Sequence, residues 1–70
     1  MTYKNGLAEN LKSLRLSRGV SQQELAKDTG ISQQNISRWE LGRHVPNIEE
    51  CIKLADYFGI TLDELVDRDI

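Results

Sequence analysis

The side chains with the greatest capacity for specific chemistry lie between Gln33 and Arg43, in the run QQNISRWELGR. Gln33, Gln34 and Asn35 are consecutive amides, each carrying donors and an acceptor on one planar group, and Arg38 adds a forked guanidinium. Such groups hold a partner by directed hydrogen bonds rather than breaking its bonds. An amide pairs bidentately with N6 and N7 of adenine, and a guanidinium with O6 and N7 of guanine. The residues that bond-breaking would need are scarce, with a single histidine (His44) and a single cysteine (Cys51). The chain has no Ser/His/acid or Cys/His set, no phosphate-cradling glycine loop and no metal-ligand spacing in its acidic tail. One histidine and one cysteine also cannot assemble a four-ligand zinc site. The expectation is a binding protein, not an enzyme, with no cofactor and no metal.

Presenting these side chains requires a helix, and the flanking residues supply its start and stop signals. Ser21 stands three residues before Glu24, the capping-box spacing, so SQQELAKDT opens as a helix. Gly30 follows its last turn, where a left-handed residue closes the carbonyls without a Cβ penalty. Ser32 then caps a second helix at once. Two helices joined so tightly cross at a steep angle, the helix-turn-helix arrangement. At 100° per residue, Ile36 and Trp39 point one way while Gln34, Ser37, Arg38 and Leu41 point roughly opposite, with Gln33 on the flank. The apolar pair is expected to dock on a core and the polar side to stay open. Ile36 and Trp39 are thus core residues, and Trp39 is not a stacking platform.

The rest of the chain is read as a scaffold for that unit. Residues 1–5 form a lead-in, and a first helix is expected from Gly6 to Arg18 with Leu7, Leu11 and Leu14 facing inward. Val20 and Leu25 flank the Ser21 cap at hydrophobic-staple spacing, a pattern repeated by Ile31 and Ile36 around Ser32 and by Ile60 and Leu65 around Thr61. Gly19, Gly30, Gly42 and Gly59 each follow a helical pattern. Asn47 and Glu50 form a further capping box after the Arg43–Pro46 loop. It opens a fourth helix to about Phe58, with Ile48, Cys51, Ile52, Ala55 and Phe58 along one face. Thr61 with Glu64 opens a fifth, ending near Asp67, after which the chain frays. Cys51 on the buried stripe, beside Glu49 and Glu50, is a core thiol rather than a redox sensor. The fold class is all-α, with five helices and no sheet.

The pieces LKSLRLSRGVSQQELA, GISQQNISRWELGR and LADYFGITLDELV, in this order and spacing, resemble the DNA-binding domain of the phage Cro/repressor type, the xenobiotic-response-element family of bacterial regulators. The resemblance spans residues 7–66. It implies a compact five-helix repressor-like domain in which helices two and three are the helix-turn-helix and the third enters the major groove. Gln33, Gln34 and Arg38 then read bases in a half-site containing adenine and guanine. Gln22, at the outward-pointing N–H groups of helix two, suits a phosphate; the resemblance adds that it braces the recognition helix, with Gln33 as its partner. Ser32, Asn35, Ser37, Arg43 and His44 are backbone contacts, although Arg43 and His44 also fit as free loop residues. Arg15 and Glu40 sit beside core positions, and relatives often join these helices by an ion pair there, so a partly buried Arg15–Glu40 salt bridge is expected. The resemblance also implies dimerisation through the end of the domain, with Ile60, Leu62, Leu65 and Val66 as candidates. Leu62 is the best exposed apolar candidate, while Ile60 and Leu65 are better read as core.

Seventy residues make one domain, 1–70, with its core at about 6–67. No apolar run approaches the roughly 20 residues of a membrane span, and no charged-then-apolar leader precedes the first helix, so a cytoplasmic protein is expected. The lone cysteine excludes an intramolecular disulfide and fits a reducing compartment. Net charge is −2, but it is unevenly spread: residues 1–45 hold seven basic against four acidic residues, and residues 46–70 two against seven. A basic side facing DNA and an acidic far side follow. The leading expectation is a sequence-specific transcriptional regulator, a repressor binding an inverted-repeat operator as a homodimer on double-stranded DNA. The alternative is a protein-interaction module, antitoxin-like or an adaptor, whose acidic C-terminal half binds a basic protein partner.

Overall fold

Four of the helices begin where a side chain satisfies backbone N–H groups that a helix start leaves without partners. In the computed structural model, which describes residues 6–66, the elements are α1 (Gly6–Ser17), α2 (Gln22–Thr29), α3 (Gln33–Glu40), α4 (Ile48–Phe58) and α5 (Leu62–Val66). Ser21 Oγ accepts from the Glu24 N–H at 3.0 Å and the Glu24 carboxylate accepts from the Ser21 N–H, closing the capping box of α2. Asn47 with Glu50 and Thr61 with Glu64 repeat it at α4 and α5. Ser32 Oγ caps α3 from the Asn35 N–H at 3.2 Å. Each such cap contributes about 1 kcal/mol. Gly19, Gly30, Gly42 and Gly59 all adopt positive φ. Gly30, at φ +77°, is the one that turns α2 directly into α3.

The amphipathic faces converge on one core. Leu11, Leu25, Ile36, Leu54 and Leu65, one from each helix, have no exposed surface, and Leu7, Ile31, Trp39, Ala55 and Phe58 surround them. α3 packs against α1 and α2, and α5 against α1 and α4. Asn10 ties α5 to α1 by donating to the carbonyls of Glu64 and Leu65. Among the described residues there is no strand, and no helix is long and apolar enough to cross a membrane. The expected lead-in at 1–5 and the helix end near Asp67 lie outside the described residues.

Helix α1 ends at Ser17 rather than Arg18, where the Arg18 N–H already bonds in a turn to the carbonyls of Leu14 and Arg15. The expected stripe on α4 is corrected more deeply. Its buried residues are Leu54, Ala55 and Phe58, with Cys51 half-buried, whereas Ile48 and Ile52 remain 67% and 45% exposed. At 100° per residue Leu54 lies about 40° from Phe58 and Ile52 about 120° away, so a face centred on Phe58 includes Leu54 and turns Ile52 outward.

Candidate nucleic-acid interface

Helix α3 is held on one side only. Ile36 and Trp39 are 0% and 3% exposed, and the Glu40 side chain is 4% exposed. On the opposite side Gln33, Gln34 and Arg38 are exposed, and Asn35 and Ser37 are half-buried at its margins. The side chains of Gln33, Gln34 and Arg38 form no hydrogen bond to the described residues, so their donors and acceptors are open to a ligand. Leu41, 65% exposed, ends that face. Arg43 and His44 lie in the exposed loop that follows. The Arg43 N–H turns back to the Arg38 carbonyl at 3.0 Å, which fixes where this loop leaves the helix.

The charge pattern of the helix starts singles out α3. Each of the other four helices carries an acidic residue in its first turn, offsetting the positive end of its dipole; α3 carries none, and its first turn is Gln33, Gln34 and Asn35. An N-terminus left positive in this way favours an approaching anion by a few tenths of a kcal/mol, up to about 1 kcal/mol. The sequence carries this signal, but it emerges only when all the helix starts are compared.

A buried ionic junction sits behind the open face. Arg15 grips Glu40 through two parallel hydrogen bonds, Nε to Oε2 at 2.8 Å and Nη2 to Oε1 at 3.0 Å, while its Nη1 donates to the Val20 carbonyl at 2.9 Å. The hydrogen bonds that Arg15 donates to Glu40, together with the charge of that carboxylate, hold the guanidinium above its ordinary pKa against the opposing pull of desolvation. Gln22 joins the same carboxylate, Nε2 to Oε1 at 3.1 Å. The junction therefore links α1, the first residue of α2 and the last residue of α3.

A helix-turn-helix family model matches residues 11–65. The chain belongs to the helix-turn-helix family. It is 36% identical over 58 residues to an HTH-type transcriptional activator, BcrR, of Enterococcus faecalis, covering 83% of this chain and 28% of that protein. It is 30% identical over 59 residues to a cryptic phage transcriptional repressor, RstR, of Vibrio cholerae, covering 84% of this chain and 53% of that one. The chain thus spans from about a quarter to about half of these relatives. A crystal structure of a transcriptional regulator from Listeria innocua superposes with a TM-score of 0.84 at 28% identity, covering 100% of this chain and 64% of that chain.

The motifs read as phage-repressor-like are those of this family, and the all-α, five-helix architecture agrees. Within the helix-turn-helix domain, Gln22 departs from expectation: its partner is Glu40 rather than Gln33. Among the residues considered for dimerisation, Leu65 has no exposed surface and closes the core, Ile60 and Val66 are half-buried, and Leu62 is 36% exposed. Cys51 is half-buried, and its thiol is pushed above its ordinary pKa by burial first and by Glu50 second. Among the described residues no group of three or more His, Cys, Asp or Glu side chains could hold a metal ion.

Proposed function

We propose that this helix-turn-helix domain is a sequence-specific DNA-binding transcriptional regulator, a repressor acting in the cytoplasm on an inverted-repeat operator. The observation that carries the reading is α3 itself: an open polar face without an acidic residue in its first turn, on a helix anchored from behind. Gln33, Gln34 and Arg38 read base edges in the major groove, and Gln22, Ser32, Asn35, Ser37, Arg43 and His44 hold or frame the backbone. Two protomers, meeting through Leu62 and Val66 of α5, would present their α3 helices about 34–36 Å apart, one helical turn of DNA. Selecting bound sites from random duplexes tests the reading. The selected sites should be inverted repeats, and Arg38→Ala should lose about 1–3 kcal/mol and relax a single base position. Failure to retard any duplex at low ionic strength would refute it.

One observation favours a second surface. Ile48 and Ile52 stand exposed on α4 beside Glu49 and Asp56, which suits an apolar and basic protein partner. On that reading, reversing Glu49 or Asp56 abolishes partner capture while DNA binding by α3 is unchanged.

A further inference from the structure

The Glu40 carboxylate has more acceptors than one arginine needs, and the surplus is directed to Gln22. Oε2 takes Arg15 Nε, and Oε1 is shared between Arg15 Nη2 at 3.0 Å and Gln22 Nε2 at 3.1 Å. An ionised carboxylate accepts and never donates, so Gln22 must present its nitrogen, not its oxygen, to Glu40. That settles the amide's orientation on chemical grounds. One N–H points inward to Glu40; the other points away from it, at the first residue of α2, where the backbone N–H groups also face outward.

We propose that Glu40 is a positioning residue of the DNA interface, its buried carboxylate holding the Gln22 amide so that the second N–H meets a phosphate. The inference rests on the reading that α2 and α3 dock on a duplex. Arg15 has a part in it: by pairing with both carboxylate oxygens it offsets a negative charge that would otherwise repel the phosphate. Pre-organising a flexible glutamine side chain removes part of the ordering that binding otherwise requires. Glu40 itself touches no DNA.

The test is a double-mutant cycle on the duplex selected by the wild-type domain, with single methylphosphonate linkages placed along it in turn. In the wild-type background Gln22→Ala should weaken binding roughly two- to tenfold, the range of one hydrogen bond, and should abolish sensitivity to one linkage per half-site. In R15M/E40M, where an apolar pair replaces the buried ions, Gln22→Ala should cost less than about twofold and that linkage alone should lose its effect. R15M/E40Q, which restores a neutral acceptor, should restore it. Equal loss on Gln22→Ala in both backgrounds, or an unchanged linkage pattern, overturns the inference while leaving the DNA reading intact. A wild-type domain that binds no duplex removes both. A readout independent of any variant is the Gln22 side-chain amide in NMR. One of its protons should be protected from exchange in the free protein and the other should become protected on adding duplex; two equivalent, rapidly exchanging protons in the free protein also overturn it.

Discussion

Glu40→Gln isolates the energetics of the buried junction, because it removes one charge and almost no volume. In the wild type the two side chains are 11% and 4% exposed, and the guanidinium is neutralised through two short hydrogen bonds. A glutamine at 40 could accept one of them through its oxygen, but its NH2 would then face the guanidinium, donor against donor. Arg15 would be left cationic and 9% exposed without a counter-charge. Removing one partner of a buried pair costs about 3–5 kcal/mol, most of it the desolvation of the charge left behind. For a domain of this size about 1 kcal/mol moves Tm by roughly 4–8 °C, so a fall of roughly 12–40 °C is expected. The assay is helical ellipticity at 222 nm against temperature, with urea unfolding to check that the m-value is preserved. R15M/E40M is the control. With both charges gone, no penalty of this kind remains, and its Tm should lie close to or above that of the wild type. A Tm for Glu40→Gln within about 2 °C of wild type would refute the reasoning, as would equal losses in the two variants.

Gly30→Ala should destabilise the domain by about 1–2 kcal/mol in urea. A Cβ there meets nothing within 4 Å, so the whole effect is the left-handed backbone at φ +77°; a larger loss would point to a steric cause instead. Cys51 should react with iodoacetamide more slowly at pH 8 in the folded protein than in urea, because burial and then Glu50 raise its pKa; equal rates would contradict that placement. The linkage has a definite sign: the unfolded thiol ionises first, so the Cys51 contribution is present below the unfolded-state pKa and is lost as pH rises through the higher folded-state value. Cys51→Ala should remove that part of the alkaline decline in stability. Gln34→Ala should leave stability within about 0.5 kcal/mol of wild type while weakening binding to the selected duplex, since the side chain is exposed; a large loss of stability would mean that this face is not free.

What could be read from the sequence was local. Ser21–Glu24, Asn47–Glu50 and Thr61–Glu64 are reciprocal caps written within three residues, and the helix starts follow from them with no knowledge of the tertiary fold. The same is true of Ile36 and Trp39 against Gln34 and Arg38, because an eight-residue helix with only two large apolar side chains can turn inward in only one way. Helix α4 offered no such restriction. Ile48, Cys51, Ile52, Leu54, Ala55 and Phe58 spread over an arc of about 160° at 100° per residue, so periodicity alone does not decide which edge of that arc turns inward. The packing of α5, and of α2 from far back along the chain, against it decides the outcome. The partner of Gln22 differs for a related reason: a family pattern links residues 22 and 33, whereas the bond to Glu40 depends on where Arg15 of a third helix places the carboxylate.

An eight-residue helix is too short to hold its conformation alone in water, so α3 owes its shape to what lies behind it. That dependence would normally tie recognition to stability: a change that weakens the fold would weaken the reading of the partner. Here the two are spread over opposite sides of the same helix. Ile36 and Trp39 provide the anchoring area, and Gln33, Gln34 and Arg38 carry none of it. Substitutions on the open face can therefore change what is read at little energetic consequence to the fold, and those on the buried face change the fold without altering the set of groups presented. Glu40 is where the separation fails. Its two oxygens serve Arg15 of the scaffold and Gln22 at the edge of the interface together. It is the position at which stability and binding should respond to a single substitution in concert, and the apolar pair R15M/E40M should pull them apart by keeping the first while weakening the second by the Gln22 contribution alone.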